Sequence, residues 1–279
     1  MSALLQISDP HFGTEEPAVA EALLAFARLQ NPDVVVWSGD ITQRARRSQF
    51  AAAKRFMDRM AARACLVIPG NHDIPLFDIA ARLFNPYGHF REALGTELEP
   101  VFESSDLSVI CLNTTRPWRH KNGEVSGKQI ARVARHFRAA DPNQLCIVVV
   151  HHPVRAVEAS DRKNLLRGRT EAVRRWAEAG ADLILGGHIH LPYACALDTD
   201  AHRSFWTVQA GTGLSHRVRG GVPNSVNLIR HAPQANRRQC TLERWDYDQT
   251  TARFGLVQRT DIPLAPRSAA PAGNLTSAS

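Results

Sequence analysis

Cysteine is scarce and unpatterned in this 279-residue chain: Cys65, Cys111, Cys146, Cys195 and Cys240 are widely spaced, odd in number, and form no C-x-x-C pair. That excludes a disulfide framework and a thiolate zinc site, so the five are expected as buried small hydrophobes. Long apolar runs are missing too. Segments such as 145–150 fall far below the about 18 residues that a membrane span needs, so no span is expected. The chain reaches Asp9 without a basic stretch, nothing reads as a secretory signal, and cytoplasmic residence is expected. Lysine is rare, confined to positions 54, 121, 128 and 163, so thirty of the thirty-four cations are Arg. Aromatics make up only 7%, and the net charge of +7 is scattered without aromatic interleaving, which argues against nucleic acid as the main partner. What remains, 44% apolar and 22% charged residues, is a globular composition that excludes disorder, collagen and coiled coil.

Strand and helix signals alternate from the start. Short apolar or β-branched runs at 4–7, 34–37, 66–68, 107–112, 146–150 and 183–185 read as buried strands. Helical patterns lie between them at 17–29, opening on Pro17, and at 48–61. Ser126 starts another with a capping box to Gln129, and 170–179 is the last convincing one. After Gly187 the texture changes to strands at 193–197, 205–209, 226–231, 241–247 and 254–259, predicting that the C-terminal part finishes as antiparallel sheet. Residues 1–260 are expected to form one α/β catalytic domain, with two mixed sheets packed face to face and helices outside. Residues 261–279 (DIPLAPRSAAPAGNLTSAS) lack periodicity and are expected as a mobile tail.

Five strand ends carry polar residues able to bind metal. They are Asp9 and His11 in SDPHFG, Asp40 in SGD, Asn71 to Asp73 in PGNHD, His151 and His152 after CIVVV, and His188 and His190 in GGHIH. In open α/β sheets the ligand crevice lies outside the carboxyl ends of the strands, so segments spread over about 180 residues can converge there. Carboxylate, imidazole and amide donors without sulfur suit Mn, Fe, Zn, Co or Ni. Seven such ligands exceed the needs of one ion, whereas a shared carboxylate can serve two. Of the paired histidines, the one at the strand end proper, His151, is favoured as a ligand.

The ordered set D-x-H, G-D, G-N-H-D, H-H-P and G-H-x-H resembles the calcineurin-like metallophosphoesterase superfamily over roughly residues 4–190. The resemblance implies a four-layer αββα sandwich. It implies that Asp9, His11, Asp40 and His190 hold one metal ion and Asp40, Asn71, His151 and His188 a second, with Asp40 bridging. The ions would be divalent or trivalent Mn, Fe, Zn or Co. His72 would contact the phosphoryl group or protonate the leaving oxygen, with Asp73 orienting it. The implied reaction is hydrolysis by a hydroxide that bridges two ions about 3.5 to 4 Å apart.

The short D-P-H-F start, the complete G-N-H-D and the compact size are most similar to the bacterial cyclic-nucleotide phosphodiesterase and glycerophosphodiesterase group. A small-molecule phosphoester is therefore the expected substrate. Pyrophosphatases acting on UDP-sugar lipids share much of the pattern but carry Arg where His72 stands; they and phosphomonoesterases are the alternatives. A non-catalytic metal-binding or nucleic-acid-binding protein is the alternative from another class, and homo-oligomerisation is compatible with the sequence. Loops at 116–123 (RPWRHKNG), 155–169 and 211–229 are candidate walls of a binding site with no role assigned. His89, His120, His136, His202 and His231 read as ordinary polar histidines, and His216 is left open.

Overall fold

The computed structural model describes residues 2–60, 62–197, 205–232 and 238–266. Twelve strands form two six-stranded mixed sheets among these residues. The first holds β1 (Ser2–Ile7), β2 (Val34–Trp37), β3 (Cys65–Val67), β10 (Ser225–His231), β11 (Gln239–Asp248) and β12 (Arg253–Pro263) in the order β12-β11-β10-β1-β2-β3. The second holds β4 (Val101–Glu103), β5 (Leu107–Cys111), β6 (Leu145–Val149), β7 (Leu183–Gly186), β8 (Tyr193–Ala196) and β9 (Trp206–Gln209) in the order β4-β5-β6-β7-β9-β8.

Period-two alternation assigns the layers. Leu5, Ile7, Val35 and Trp37 point outward into one core with α1 (Pro17–Gln30) and α2 (Arg47–Met60), whose Leu23, Leu24 and Phe50 are buried there. Their neighbours Leu4, Val34 and Val36 point the other way, meeting Val109, Ile147, Val149, Leu183 and Leu185 of the facing sheet. The second sheet's outer face, Ile110, Val148 and Ile184, packs on α5 (Gly127–Arg138) and α6 (Arg169–Glu178) through Phe137 and Trp176. Because both faces of the central strands are covered, their sequences read as continuous apolar runs. The result is a four-layer αββα sandwich. The Ser126–Gln129 capping box forms as predicted, with Ser126 Oγ accepting from Gln129 N–H and Gln129 Oε1 accepting from Ser126 N–H at 2.9 Å.

The structure departs from the sequence reading in several places. The strands after Gly187 do not make one antiparallel sheet: β9 pairs in parallel with β7, β8 pairs antiparallel with β9, and only β10, β11 and β12 extend the first sheet in antiparallel fashion. The ordered domain runs past residue 260, since β12 pairs with β11 up to Pro263, and Ile262 and Leu264 are buried. Residues 267–279 of the expected tail lie outside the described residues. Helices α3 (Ile79–Phe84) and α4 (Gly88–Leu94) and strand β4 went unpredicted. They are short, and α3 buries none of its residues, so no core-facing periodicity marks it. Cys111, Cys146 and Cys240 are buried, but Cys65 is exposed and Cys195 half-buried, because β3 and β8 are edge strands.

A polar pin sets the two sheets in register at the end that matters. Gln6 of β1, fully buried, donates to Gly186 O of β7 at 2.9 Å and to Ser38 Oγ at 3.2 Å, and accepts from Asn227 Nδ2 of β10 at 3.0 Å. Buried amides of this kind must be satisfied, so only an arrangement that aligns β1 with β7 is stable. The parallel sets β1-β2-β3 and β5-β6-β7 thereby point their carboxyl ends to one edge of the sandwich.

Candidate metal centre

At that edge the chain leaves its strands in an unusual conformation. Asp9, His11, Asp40, His188 and His190 all have positive φ, between 44° and 74°. The left-handed region costs an L-residue roughly 1–2 kcal/mol, and Asp and His are among the few residues that tolerate it. Five instances around one cleft mark a place where geometry is held against local preference. Two glycines make the approach close enough. Gly39 has φ +98°, and a Cβ there would meet the His151 ring at 2.4 Å; at Gly70 it would meet Asp40 N and Oδ1 at 2.1 Å.

Two groups of donors result, sharing one carboxylate. In the first, His11 Nε2 lies 3.8 Å from Asp9 Oδ1, 3.1 Å from His190 Nε2 and 3.8 Å from Asp40 Oδ2. His190 Nε2 lies 3.4 Å from Asp9 Oδ1. Donors on a tetrahedral ion with bonds near 2.1 Å stand about 3.4 Å apart, which is the spacing found here. In the second group, Asp40 Oδ1 is 3.3 Å from His151 Nε2, and the His151 and His188 rings are 5.1 Å apart. The two oxygens of Asp40 thus face different groups.

The chemistry of this second group carries the test of fit. Asn71 Oδ1, His151 Nε2 and His188 Nδ1 are buried and have no hydrogen-bond partner. Buried polar atoms are almost always paired, and three orphans in one cluster fit a cation site. His152, close by in space, is different. Its Nε2 donates to Lys121 O at 3.0 Å, so its Nδ1 accepts from Thr114 Oγ1 at 2.8 Å, and both nitrogens are used. His151 uses only Nδ1, donating to Ser38 O at 2.8 Å, and points Nε2 at Asp40.

The ionisation states follow from burial and charge. Burial alone would raise the carboxyls of Asp9 and Asp40, but His190 beside the first and His151 beside the second hold both well below the usual carboxylate range. Burial pushes His11 down to about 3 and, with help from His151, His188 down to about 4. For His151 burial is outweighed by Asp40, and its pKa rises to about 9. His190 is also raised, because Asp9 outweighs burial. The cluster therefore holds neutral imidazoles at His11 and His188 beside ionised carboxylates, while the imidazole of His151 must shed a proton before it can bind a metal.

His72 stands at the rim. Its backbone N–H donates to Asp40 Oδ1 at 2.8 Å and its Nδ1 donates to Gln43 O at 2.9 Å, which turns Nε2 toward the cleft, 3.4 Å from Arg217 Nη1. Asp73 does not orient it. The buried Asp73 carboxylate instead accepts from the N–H groups of Ile41, Thr42 and Gly70 at 2.8–2.9 Å and from Thr42 Oγ1 at 2.9 Å, tying the loop after β2 to the loop after β3. Gln43 takes the orienting role, since its carbonyl is where the ring nitrogen ends.

A cleft of about 440 Å³ opens above these residues, lined also by Lys121, Asn164, Ile189, Arg217, Val218 and Arg219. The loops at 116–123, 155–169 and 211–229 each supply part of that wall. Asn224 staples the last of them, donating to Ser215 O at 2.8 Å and to Thr212 O at 3.3 Å. Lys121, Asn164 and Arg217 were not singled out by the sequence, though each sits in a loop it flagged. His120 is exposed and borders a small cleft with His72 and Leu76. His89, His136 and His231 bond to ordinary protein partners, His216 is exposed, and His202 lies outside the described residues.

Comparison with known proteins agrees with this arrangement. Residues 3–192 match the family model described as calcineurin-like phosphoesterase. A probable cyclic nucleotide phosphodiesterase of Rhodococcus erythropolis is 24% identical, the match covering 67% of this chain and 64% of that protein. A probable glycerophosphodiester phosphodiesterase of Arcobacter nitrofigilis is also 24% identical, covering 67% and 71%. The chain thus spans less than two thirds of the Rhodococcus relative's length. In fold it is similar to a purple acid phosphatase from yellow lupin, with TM-score 0.70 and 12% identity over 94% of this chain and 53% of that one. It is also similar to a dimetal phosphatase from Danio rerio, with TM-score 0.63 and 14% identity over 95% and 99%. Motif order, sandwich and family match converge: the chain belongs to the calcineurin-like phosphoesterase family.

Proposed function

We propose that this chain is a phosphodiesterase using two transition-metal ions, Mn, Fe, Zn or Co. Asp9, His11, Asp40 and His190 would hold one ion and Asp40, Asn71, His151 and His188 the other. The observation that carries this reading is the trio of buried donors without a hydrogen-bond partner, Asn71 Oδ1, His151 Nε2 and His188 Nδ1, of which His151 Nε2 lies 3.3 Å from a carboxylate shared with a second donor group. Bound there, such ions supply Lewis-acid and nucleophile-activating chemistry. The protein's own part is orientation and proton delivery. With Nδ1 donating to Gln43 O, His72 in its imidazolium form presents Nε2–H to the cleft as the group that protonates a departing alkoxide and is left as the neutral ring.

Cleft lining favours one kind of diester. Among the described residues its lining holds no Phe, Tyr or Trp, the side chains on which a nucleobase stacks best, an interaction worth about 1–3 kcal/mol per base. A compact hydroxylated alcohol, as in a glycerophosphodiester, suits the polar walls better than a cyclic nucleotide. A metal-replete panel of glycerophosphodiesters, cyclic nucleotides, bis-p-nitrophenyl phosphate and phosphomonoesters tests this. Glycerophosphodiesters should lead cyclic AMP in kcat/KM by about tenfold or more, the factor corresponding to one lost stacking interaction. Preference for monoesters, or metal content without any hydrolysis, would overturn the reading, the latter outcome pointing to a non-catalytic scaffold.

Metal loading should also release protons. His151, with its pKa near 9, carries a proton at neutral pH that a ligand nitrogen must shed, so affinity should rise as pH climbs from 7 toward 9. Titration calorimetry with Zn or Mn in two buffers of different ionisation enthalpy should report about one proton or more released per protein. Equal enthalpies in both buffers would contradict this ionisation state.

A further inference from the structure

Two arginines in the segment between β9 and β10 have opposite surroundings. Arg219 is saturated: its guanidinium donates to both oxygens of the buried Asp161 at 2.9 and 3.0 Å, to Glu158 Oε2 at 2.8 Å and to Ile189 O at 3.0 Å. That clamp fixes the segment to the 3-10 turn Ala159–Asn164. Two residues earlier, the backbone carbonyl of Arg217 accepts from Thr212 Oγ1 at 2.9 Å and from His190 Nδ1 at 2.5 Å, so the segment is tied to the donor cluster as well. The side chain of Arg217 is half-buried and turned into the cleft.

No carboxylate pairs with it directly among the described residues. Its Nη1 donates to Gln43 Oε1 at 2.9 Å and lies 3.2 and 3.3 Å from the ring nitrogens of His11 and 3.4 Å from His72 Nε2. Among the described residues no carboxylate forms an ion pair with it, and none bonds to its Nε or Nη2. A merely structural arginine looks like Arg219, its charge met by carboxylates. A guanidinium held between imidazoles, with no carboxylate of its own, has charge and N–H donors left for an anion that enters the cleft. The planar fork of Arg matches phosphate oxygens in bidentate fashion.

On the reading of this site as a phosphodiesterase centre, we propose that Arg217 grips the non-bridging oxygens of the substrate phosphate, held over His11 and His72 by the clamp at Arg219. The role is ground-state and transition-state contact with the phosphoryl group, so it should appear with any phosphate-like anion. Inorganic phosphate is the probe. Metal-loaded wild type, Arg217→Gln and Arg217→Lys are compared by phosphate titration calorimetry, elemental analysis and thermal melting. Gln should weaken phosphate about 10- to 100-fold with metal content unchanged, the loss expected for charge-assisted hydrogen bonds. Lys, keeping charge but not the fork, should recover part of it.

Phosphate affinity within about twofold of wild type in Arg217→Gln would overturn the proposal, as would loss of metal from a folded Arg217→Gln protein, since the side chain would then serve the donor group at His11. If the Gln variant melts out, Arg217→Lys decides: wild-type phosphate affinity in it refutes a bidentate grip. The broader reading fails separately, when wild type binds phosphate but hydrolyses no ester; Arg217 is then still judged by the titration. A wild type that binds no phosphate overturns both.

Discussion

Asp40→Asn is expected to empty the second metal position and to reduce turnover well beyond the about 10- to 100-fold loss typical of outer-shell partners of a metal site. The substitution is close to isosteric, and its Oδ1 can still accept the His72 N–H that Asp40 Oδ1 accepts at 2.8 Å. Local structure should survive. What disappears is the charge that faces both donor groups, at 3.8 Å from His11 and 3.3 Å from His151. The same charge lifts His151 to about 9 against burial, so in the variant that imidazole should titrate at lower pH and the proton release on metal loading should shrink. Elemental analysis with kcat for bis-p-nitrophenyl phosphate measures the outcome. Full activity with undiminished metal stoichiometry would sink the assignment of Asp40 as bridge.

Asn71→Ala refines the same test because its two effects have opposite sign. Asn71 Oδ1 is a buried acceptor with no partner, and such atoms cost a fold about 1–3 kcal/mol. Removing it should leave the metal-free protein as stable as wild type or more so, while the second site loses affinity and activity falls. A clear drop in metal-free stability would show that the amide does structural service instead.

Why these candidate ligands were legible and other site residues not is a matter of how local each signal is. Asp9, Asp40, Asn71, His151 and His188 each follow a buried strand within a few residues, so a polar, metal-capable residue at the end of an apolar run is visible without knowing the fold. The parallel arrangement that gathers those ends follows from alternating strand and helix patterns. The orienting partner of His72 had no such signal. Asp73 is its sequence neighbour, yet the backbone turn sends that carboxylate toward Ile41, Thr42 and Gly70, and the ring meets Gln43 O, a backbone atom of a residue 29 positions away.

Arg217 shows the same limit. Thirty arginines have similar local context, and only tertiary contacts separate Arg219, paired with Asp161 and Glu158, from Arg217, paired with no carboxylate. The split of the C-terminal strands between two sheets was hidden for a related reason. Alternation in β8 and β9 states that each has two faces, but the parallel pairing of β9 with β7 depends on which edge of β7 is open once β6 has paired with its other edge. The overlooked end of β12 was local: Pro263 masks the alternation of Ile262 and Leu264, although proline is tolerated on an edge strand such as this one.

His72→Ala should separate binding from chemistry. No metal-donor role falls to its side chain: Nδ1 is spent on Gln43 O, and Nε2 faces the cleft. Its backbone N–H, which Asp40 accepts, survives the substitution, so both ions should be retained. Loss of a positioned acid typically costs about 10²- to 10⁴-fold, and the deficit depends on how much the leaving group needs a proton. An alkyl diester expels a basic alkoxide, whereas a p-nitrophenyl diester releases an anion stable without protonation. The alkyl substrate should therefore approach the upper end of that range and the aryl substrate fall well short of it. Assistance by simple electrostatic contact with the phosphoryl oxygens would penalise both about equally, because those oxygens are common to the two substrates. Metal content and kcat for the matched alkyl and p-nitrophenyl diesters decide between these, and an unchanged kcat for the alkyl diester, or loss of an ion, would refute the role of His72 as the acid.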